Sequence, residues 1–167
     1  MTLTPSLLPP APPWRLTGYA VLFLRGWRGL LAIIHYDSSP VGPYDELAVS
    51  ILSARGPTVV EMYVNSPASM IGGRAGWGFP KQLARLHCER WGRRLSFRCG
   101  NRTKRVRSCG PVFPLRANLW TVQLLEGQRV RVPVSIEGRA RLGFQGRRVA
   151  LILEQFEMTV LPPRASN

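Results

Sequence analysis

Apolar positions along the chain fall into short runs separated by glycine, proline and charged residues. Residues 17–24 (TGYAVLFL) read as a strand that Arg25 and Gly26 terminate. Residues 30–36 (LLAIIHY) lack polar alternation, which predicts a second strand buried on both faces. After a loop at residues 37–43, residues 47–52 and 58–64 make two strands joined at Arg55, Gly56 and Pro57, a hairpin. Ser66 suits a helix N-cap with Pro67 at the first helical position. Residues 68–71 are therefore expected to form a short helical turn, ended by the glycines that follow. Residues 83–91, 95–99 and 103–109 read as three strands linked by Gly92 and Arg93 and by residues 100–102. Residues 119–125, 129–136 and 149–160 complete the set, with a hairpin turn at Glu126, Gly127 and Gln128. Near-regular strands with almost no helical periodicity predict a mainly β, antiparallel sandwich or barrel with one short helix.

Composition changes this picture little. The chain has 167 residues, 45% of them hydrophobic, enough for one domain with a real core. Pro5, Pro9, Pro10, Pro12 and Pro13 mark residues 1–13 as an extended or disordered arm. Residues 14–162 are expected to form a single β domain, and residues 163–167 a C-terminal tail. No apolar run approaches the ~20 residues that span a bilayer. The N-terminus has no basic segment ahead of an apolar core, so neither membrane nor secretion is expected and the cytoplasm is the default. Cys88, Cys99 and Cys109 form no CxxC pair and read as free buried thiols. With His87 they match no metal pattern, so no metal is expected.

The net charge of +14 is concentrated in residues 85–148, where the acids are Glu89, Glu126 and Glu137. Such a field could attract an anionic polymer, with an affinity that would fall steeply as salt rises. The arginines are spread over several strands and no nucleic-acid fold signature accompanies them. An arginine-biased surface is preferred, and nucleic acid is not the expected partner.

Candidate chemistry is concentrated in residues 67–83 (PASMIGGRAGWGFPKQL). Of 23 basic residues only Lys81 and Lys104 are lysines. Arginine stays protonated, whereas a desolvated lysine can lose its proton and attack a carbonyl carbon. Trp77, Phe79, Pro80 and Leu83 would supply an apolar wall, and Gly72, Gly73, Gly76 and Gly78 would let the backbone bend or approach a ligand. Upstream, Tyr44, Asp45 and Glu46 place paired carboxylates at the start of a strand. The plainer reading makes Lys81 a solvated loop charge, Glu46 a strand-end partner of an arginine, and Trp77 and Phe79 core packing. His35 is read as a satisfied core or loop histidine.

With these residues in view, the chain resembles the acetoacetate decarboxylase family. The segment from Gly73 to Lys81 is similar to the family's Gly-Arg-Glu … Phe/Tyr-Pro-Lys motif, whose lysine forms the Schiff base. Tyr44-Asp45-Glu46 resembles the family's Tyr-x-Glu, whose glutamate faces that lysine. Met62-Tyr63-Val64 and the closing run from Phe156 to Pro162 also fit, so the resemblance spans residues 13–162. It implies a closed or cone-like β-barrel around an apolar cavity, assembled as a homo-oligomer and working without a cofactor. It implies that Lys81 attacks the ketone of a small β-keto acid, that the imine accepts the electron pair left by departing CO₂, and that Glu46 orients substrate or handles protons. Tyr44, Arg74, Trp77 and Phe79 would contact substrate, Arg74 alternatively holding the glutamate or the loop. The chain departs from the family pattern at three places. Gln82 replaces a second lysine, so desolvation alone must favour the neutral amine. Ala75 replaces the motif's glutamate. The chain is shorter, chiefly at the N-terminus, where the family has an arginine-bearing segment; Arg15, Arg25 and Arg28 are the candidates here. A related Schiff-base aldolase or dehydratase, or a barrel that binds a small ligand without turnover, are the alternatives.

Overall fold

The computed structural model describes residues 8–166. The first half of the expected proline-rich arm therefore lies outside the described residues. Among the described residues, eleven strands and one helix form a mainly β structure. In chain order these are β1 (Trp14–Arg25), β2 (Gly29–Ser38), β3 (Tyr44–Ser53), β4 (Gly56–Val64), α1 (Pro67–Trp77), β5 (Lys81–Leu83), β6 (Leu86–Trp91), β7 (Arg94–Cys99), β8 (Arg102–Leu125), β9 (Gln128–Gln145), β10 (Arg148–Val160) and β11 (Arg164–Ala165).

All belong to one sheet in the order β5-β4-β3-β2-β1-β10-β9-β8-β7-β6, with β11 added beside β9. Pairing is antiparallel except between β4 and β5. The expected closed barrel is corrected here, because the hydrogen-bonded ladder is open and its ends, β5 and β6, do not pair. The two ends are short, and the middle is long. β8 runs for 24 residues and shifts register between Cys109 and Phe113. A bulge of this kind bends a strand and sharpens its twist. The sheet therefore folds over on itself, and its flanks meet through side chains instead of a ladder. Thr121 Oγ1 of β8 donates to the Pro57 carbonyl of β4 at 3.1 Å. Across the other flank the Cys88 amide of β6 donates to Asp45 Oδ2 of β3 at 3.2 Å.

Folding over creates two cores on opposite faces of the central strands. One holds Trp14, Leu16, Tyr36, Tyr44, Met62, Trp77, Phe79 and Phe156. The other holds Tyr19, Val21, Phe23, Ile33, Leu95, Phe97, Val106 and Ile152. Successive strand residues point to opposite faces, so β1 sends Trp14 and Leu16 to the first core and Val21 and Phe23 to the second. β2 is covered less completely than its unbroken apolar run suggests: Ile33 and Tyr36 are buried, and the rest of the strand is partly exposed or exposed.

Residues 83–91, expected as one strand, divide into β5 and β6. The short helical turn expected at 68–71 is a helix of 11 residues. Gly72, Gly73 and Gly76 lie inside it, and the glycine that ends it is Gly78, left-handed at φ 72°. A β-carbon at Gly78 would stand 2.0 Å from the Leu124 carbonyl oxygen of β8, so the turn presses backbone against backbone. Before the sheet begins, the Trp14 indole donates to the Pro10 carbonyl at 2.7 Å, and its ring meets Trp77 edge-on. No helix among the described residues is long and apolar enough to cross a membrane.

Candidate functional site

Three elements converge on the Lys81 amine. Ser66 caps α1, its hydroxyl accepting from the Ser69 amide at 3.2 Å. Capping with Pro67 next in line fixes the first helical turn and sets Ser69 inward, fully buried. At the far end, the Gly78 amide donates to Arg74 O at 3.0 Å and the Phe79 amide to Gly73 O at 3.2 Å. The chain thereby turns back along the helix, and Lys81 opens β5 opposite Met62 of β4.

The lysine stem crosses α1 at Gly73. A β-carbon there would come within 2.6 Å of Lys81 Cδ and Cε. The glycine is therefore a slot for the side chain, and the reason lies in close approach rather than in backbone freedom. Nζ donates to Ser69 Oγ at 2.9 Å and lies 2.9 Å from Glu46 Oε2, both side chains 5% exposed. Oε2 receives no hydrogen bond of acceptable angle, so its attraction to the ammonium is chiefly Coulombic. Glu46 Oε1 accepts from the Tyr36 hydroxyl at 3.1 Å. The Tyr44 ring centroid is 5.2 Å from Nζ and 4.6 Å from the Tyr36 ring. Burial, followed by the Glu46 charge, holds both phenols well above the ordinary tyrosine range. They are therefore permanent hydroxyl groups at the carboxylate, not competing anions.

These groups open onto a cavity of about 620 Å³. Trp14, Trp77, Phe79, Met62 and Met158 are among its apolar lining residues. Of the expected site residues, Tyr44, Glu46, Trp77, Phe79 and Lys81 share this wall. Arg74 does not. It is exposed on α1, and its Nε donates to the Lys81 carbonyl at 2.7 Å. That contact ties α1 to the strand that carries the lysine. Gln82 is exposed and, by strand alternation, faces away from the amine. Arg15, Arg25 and Arg28 are exposed and outside the lining. Sequence reasoning missed Tyr36 and Ser69. Ser69 stands four residues before Gly73, hence on the same helix face; that signal needed a helix longer than the one expected.

An uncharged amine at this position would face an apolar-walled cavity with a carboxyl group at its side and a hydroxyl behind it. That is the arrangement needed to attack a carbonyl carbon and then expel its oxygen as water.

Comparison with known proteins fits this geometry. No curated protein matches the sequence. A crystal structure of acetoacetate decarboxylase from Legionella pneumophila subsp. pneumophila str. Philadelphia 1 matches with a TM-score of 0.63 and 15% identity, over 99% of this chain and 92% of that one. A second acetoacetate decarboxylase structure matches with a TM-score of 0.51 and 12% identity, over 99% and 94%. Against these two structures the expected shortening is small. Such likeness establishes the fold, and the family model adds the sequence relation. The acetoacetate decarboxylase model matches residues 27–109, the half that carries Glu46, Ser69, Gly73 and Lys81, and the chain belongs to that family.

Proposed function

We propose that the protein is an acetoacetate decarboxylase-like lyase in which Lys81 forms an imine with a β-keto acid. The observation that carries the reading is a buried amine, 2.9 Å from a buried carboxylate, on the wall of a mostly apolar cavity of about 620 Å³. The chemistry needs one proton to pass from Nζ to Oε2, 2.9 Å away. The free amine adds to the ketone carbon. Glu46 returns its proton to the departing oxygen, water leaves, and a protonated imine remains. The bond to the carboxylate then breaks, its electron pair moving to the imine nitrogen as CO₂ departs. Protonation of the enamine carbon and hydrolysis release the ketone and restore Lys81. Tyr36 and Ser69 hold Glu46 and Nζ in register, and Arg74 fixes the Lys81 main chain. A homo-oligomer working in the cytoplasm without a cofactor belongs to the same proposal.

One observation favours a second reading, aldol condensation or dehydration of neutral carbonyl compounds. Lys81 is the one cationic residue among the described lining residues, and Glu46 is beside it, so a substrate carboxylate has no arginine to meet.

Borohydride trapping with a panel of small keto acids and aldehydes tests the imine. Intact mass and peptide mapping should place a reduced adduct on Lys81, absent in Lys81→Arg. A folded protein that yields no adduct across the panel overturns the reading. The panel members that trap separate keto acids from neutral carbonyls.

A further inference from the structure

The cavity is much larger than a short keto acid needs. At the roughly 30 Å³ that a water-sized group occupies in a liquid, the seven heavy atoms of a four-carbon β-keto acid fill about a third of the 620 Å³. The surplus has a direction. Tyr44, Glu46, Ala48, Ser50 and Leu52, alternate residues of β3, all line it. Their exposure rises along that row: 4% at Glu46, 6% at Ala48 and 54% at Leu52. Six residues of strand separate Glu46 from Leu52, about 20 Å. The far end carries Leu30, Pro57, Leu119 and Trp120, with Leu119 52% and Trp120 44% exposed. Between the amine and this lip the row offers one hydroxyl, Ser50, and the opposite wall one more, Thr121, whose hydrogen is already given to the Pro57 carbonyl.

We infer that the substrate carries an extended apolar tail, its carbonyl carbon at Lys81 and its tail running along β3 to the lip formed by Leu52, Leu119 and Trp120. The inference rests on the Schiff-base reading for the position of the carbonyl and on the cavity alone for the tail. A polar tail would leave its groups unpaired against the lining. A short substrate would leave the outer two thirds filled by water with few partners. A straight hydrocarbon fills the space and lets its end emerge between the exposed apolar side chains.

Methyl ketones of rising length, from acetone to 2-undecanone, provide the test. Borohydride trapping is read as the ketone concentration giving half-maximal adduct, and thermal shift with the matching 2-alkanols reads tail binding without any carbonyl. Each buried methylene should improve both about fourfold, the fold-change equal to roughly 0.8 kcal/mol, until the tail reaches the lip and the gain stops. Ser50→Phe, which plugs the row halfway, should flatten the length series. Should that variant fail to fold, Leu52→Arg, placing a charge at the exposed lip, should shorten the length at which gain stops. Adducts equally strong for acetone and 2-undecanone would overturn the tail while leaving the imine standing. No adduct with any ketone, together with length-dependent thermal shifts by the alkanols, would support the tail and remove the imine. Length-independent shifts, or a dimer whose formation blocks 2-undecanone, would overturn the tail by showing that the lip serves a second copy.

Discussion

Asp45 and Glu46 are neighbours on β3 and equally buried, each 4% exposed, yet they face opposite sides of the sheet and live in different chemistry. Asp45 is saturated. It receives the Asn65 amide at 3.1 Å and the Cys88 backbone amide at 3.2 Å, and meets His35 Nδ1 at 2.7 Å. His35 in turn stacks on Tyr19, with Arg90 near that ring and Glu154 holding both Arg90 and Arg141. That network borders the second core. Glu46 receives one hydrogen bond, from Tyr36, and its other oxygen has only the Lys81 charge. It faces empty volume. The lesson is that burial of a carboxylate does not mark a reactive site. Spare bonding capacity beside space does, because a group whose lone pairs are all engaged cannot take a proton without breaking structure.

The largest effect that separates the two regions is on chemistry. Lys81→Met should abolish the borohydride adduct and lower turnover more than about a thousandfold, as loss of a nucleophile does. Asp45→Ala should leave turnover within about threefold. Comparable losses in both variants, measured on the keto acid that traps best, would erase the distinction.

Stability should show the reverse. Asp45→Ala leaves an imidazole, a side-chain amide and a backbone amide without their acceptor, and should cost about 3 kcal/mol in urea unfolding. Tyr36→Phe, which removes a single bond to Glu46, should cost about 1 kcal/mol. If the Tyr36 variant proved the more destabilised, the network around Asp45 would not be the structural one.

A smaller effect sharpens the geometry of the reactive side. Gly73→Ala improves helix propensity by about 1 kcal/mol, but its methyl must displace the Lys81 stem. Melting temperature should change little while adduct formation falls about tenfold. Equal adduct formation would show that the lysine can move aside freely.

The least effect is on titration. Tyr36 and Tyr44 are held protonated above the ordinary range, so as pH rises the unfolded chain releases these protons before the folded one does. The stability they contribute is complete below the ordinary tyrosine value of about 10 and declines above it. Phenolate absorbance at pH about 11 should therefore stay low in the folded protein and rise on unfolding. Full ionisation without unfolding would mean that water reaches Glu46.

Most strands were legible because alternation and turn residues report them directly, as with the hairpin of β3 and β4. Two features were not. Gly72, Gly73 and Gly76 read as helix breakers, since spacing cannot reveal that a lysine stem needs the room at Gly73. β8 read as two separate strands because Gly110, Pro111 and Pro114 look like punctuation. In the fold they sit at or next to the bulge between Cys109 and Phe113, where a missing amide costs little. At the site, a motif carried Lys81 and Glu46, and strand alternation would have separated Asp45 from Glu46. Nothing local tied Tyr36 or Ser69 to them, because those contacts depend on register between strands and on which helix face turns inward. Cys88 is buried, but Cys99, the last residue of β7, is exposed, and Cys109, at the bulge of β8, is partly so.

The Trp77 indole donates to the Leu161 carbonyl, 84 residues later, at 2.7 Å, and Trp14 pairs with Val160 across β1 and β10. During synthesis the ribosome therefore releases Glu46, Ser69 and Lys81 long before the residues that seat them. The hairpin of β8 and β9 can form early from neighbours in sequence. The cavity at Lys81 cannot, because the strand bearing Met158 and Val160 is the last of its walls to emerge. A nascent chain that already holds Glu46, Ser69 and Lys81 has no complete cavity around them until the carboxyl-terminal strand pairs with the first one.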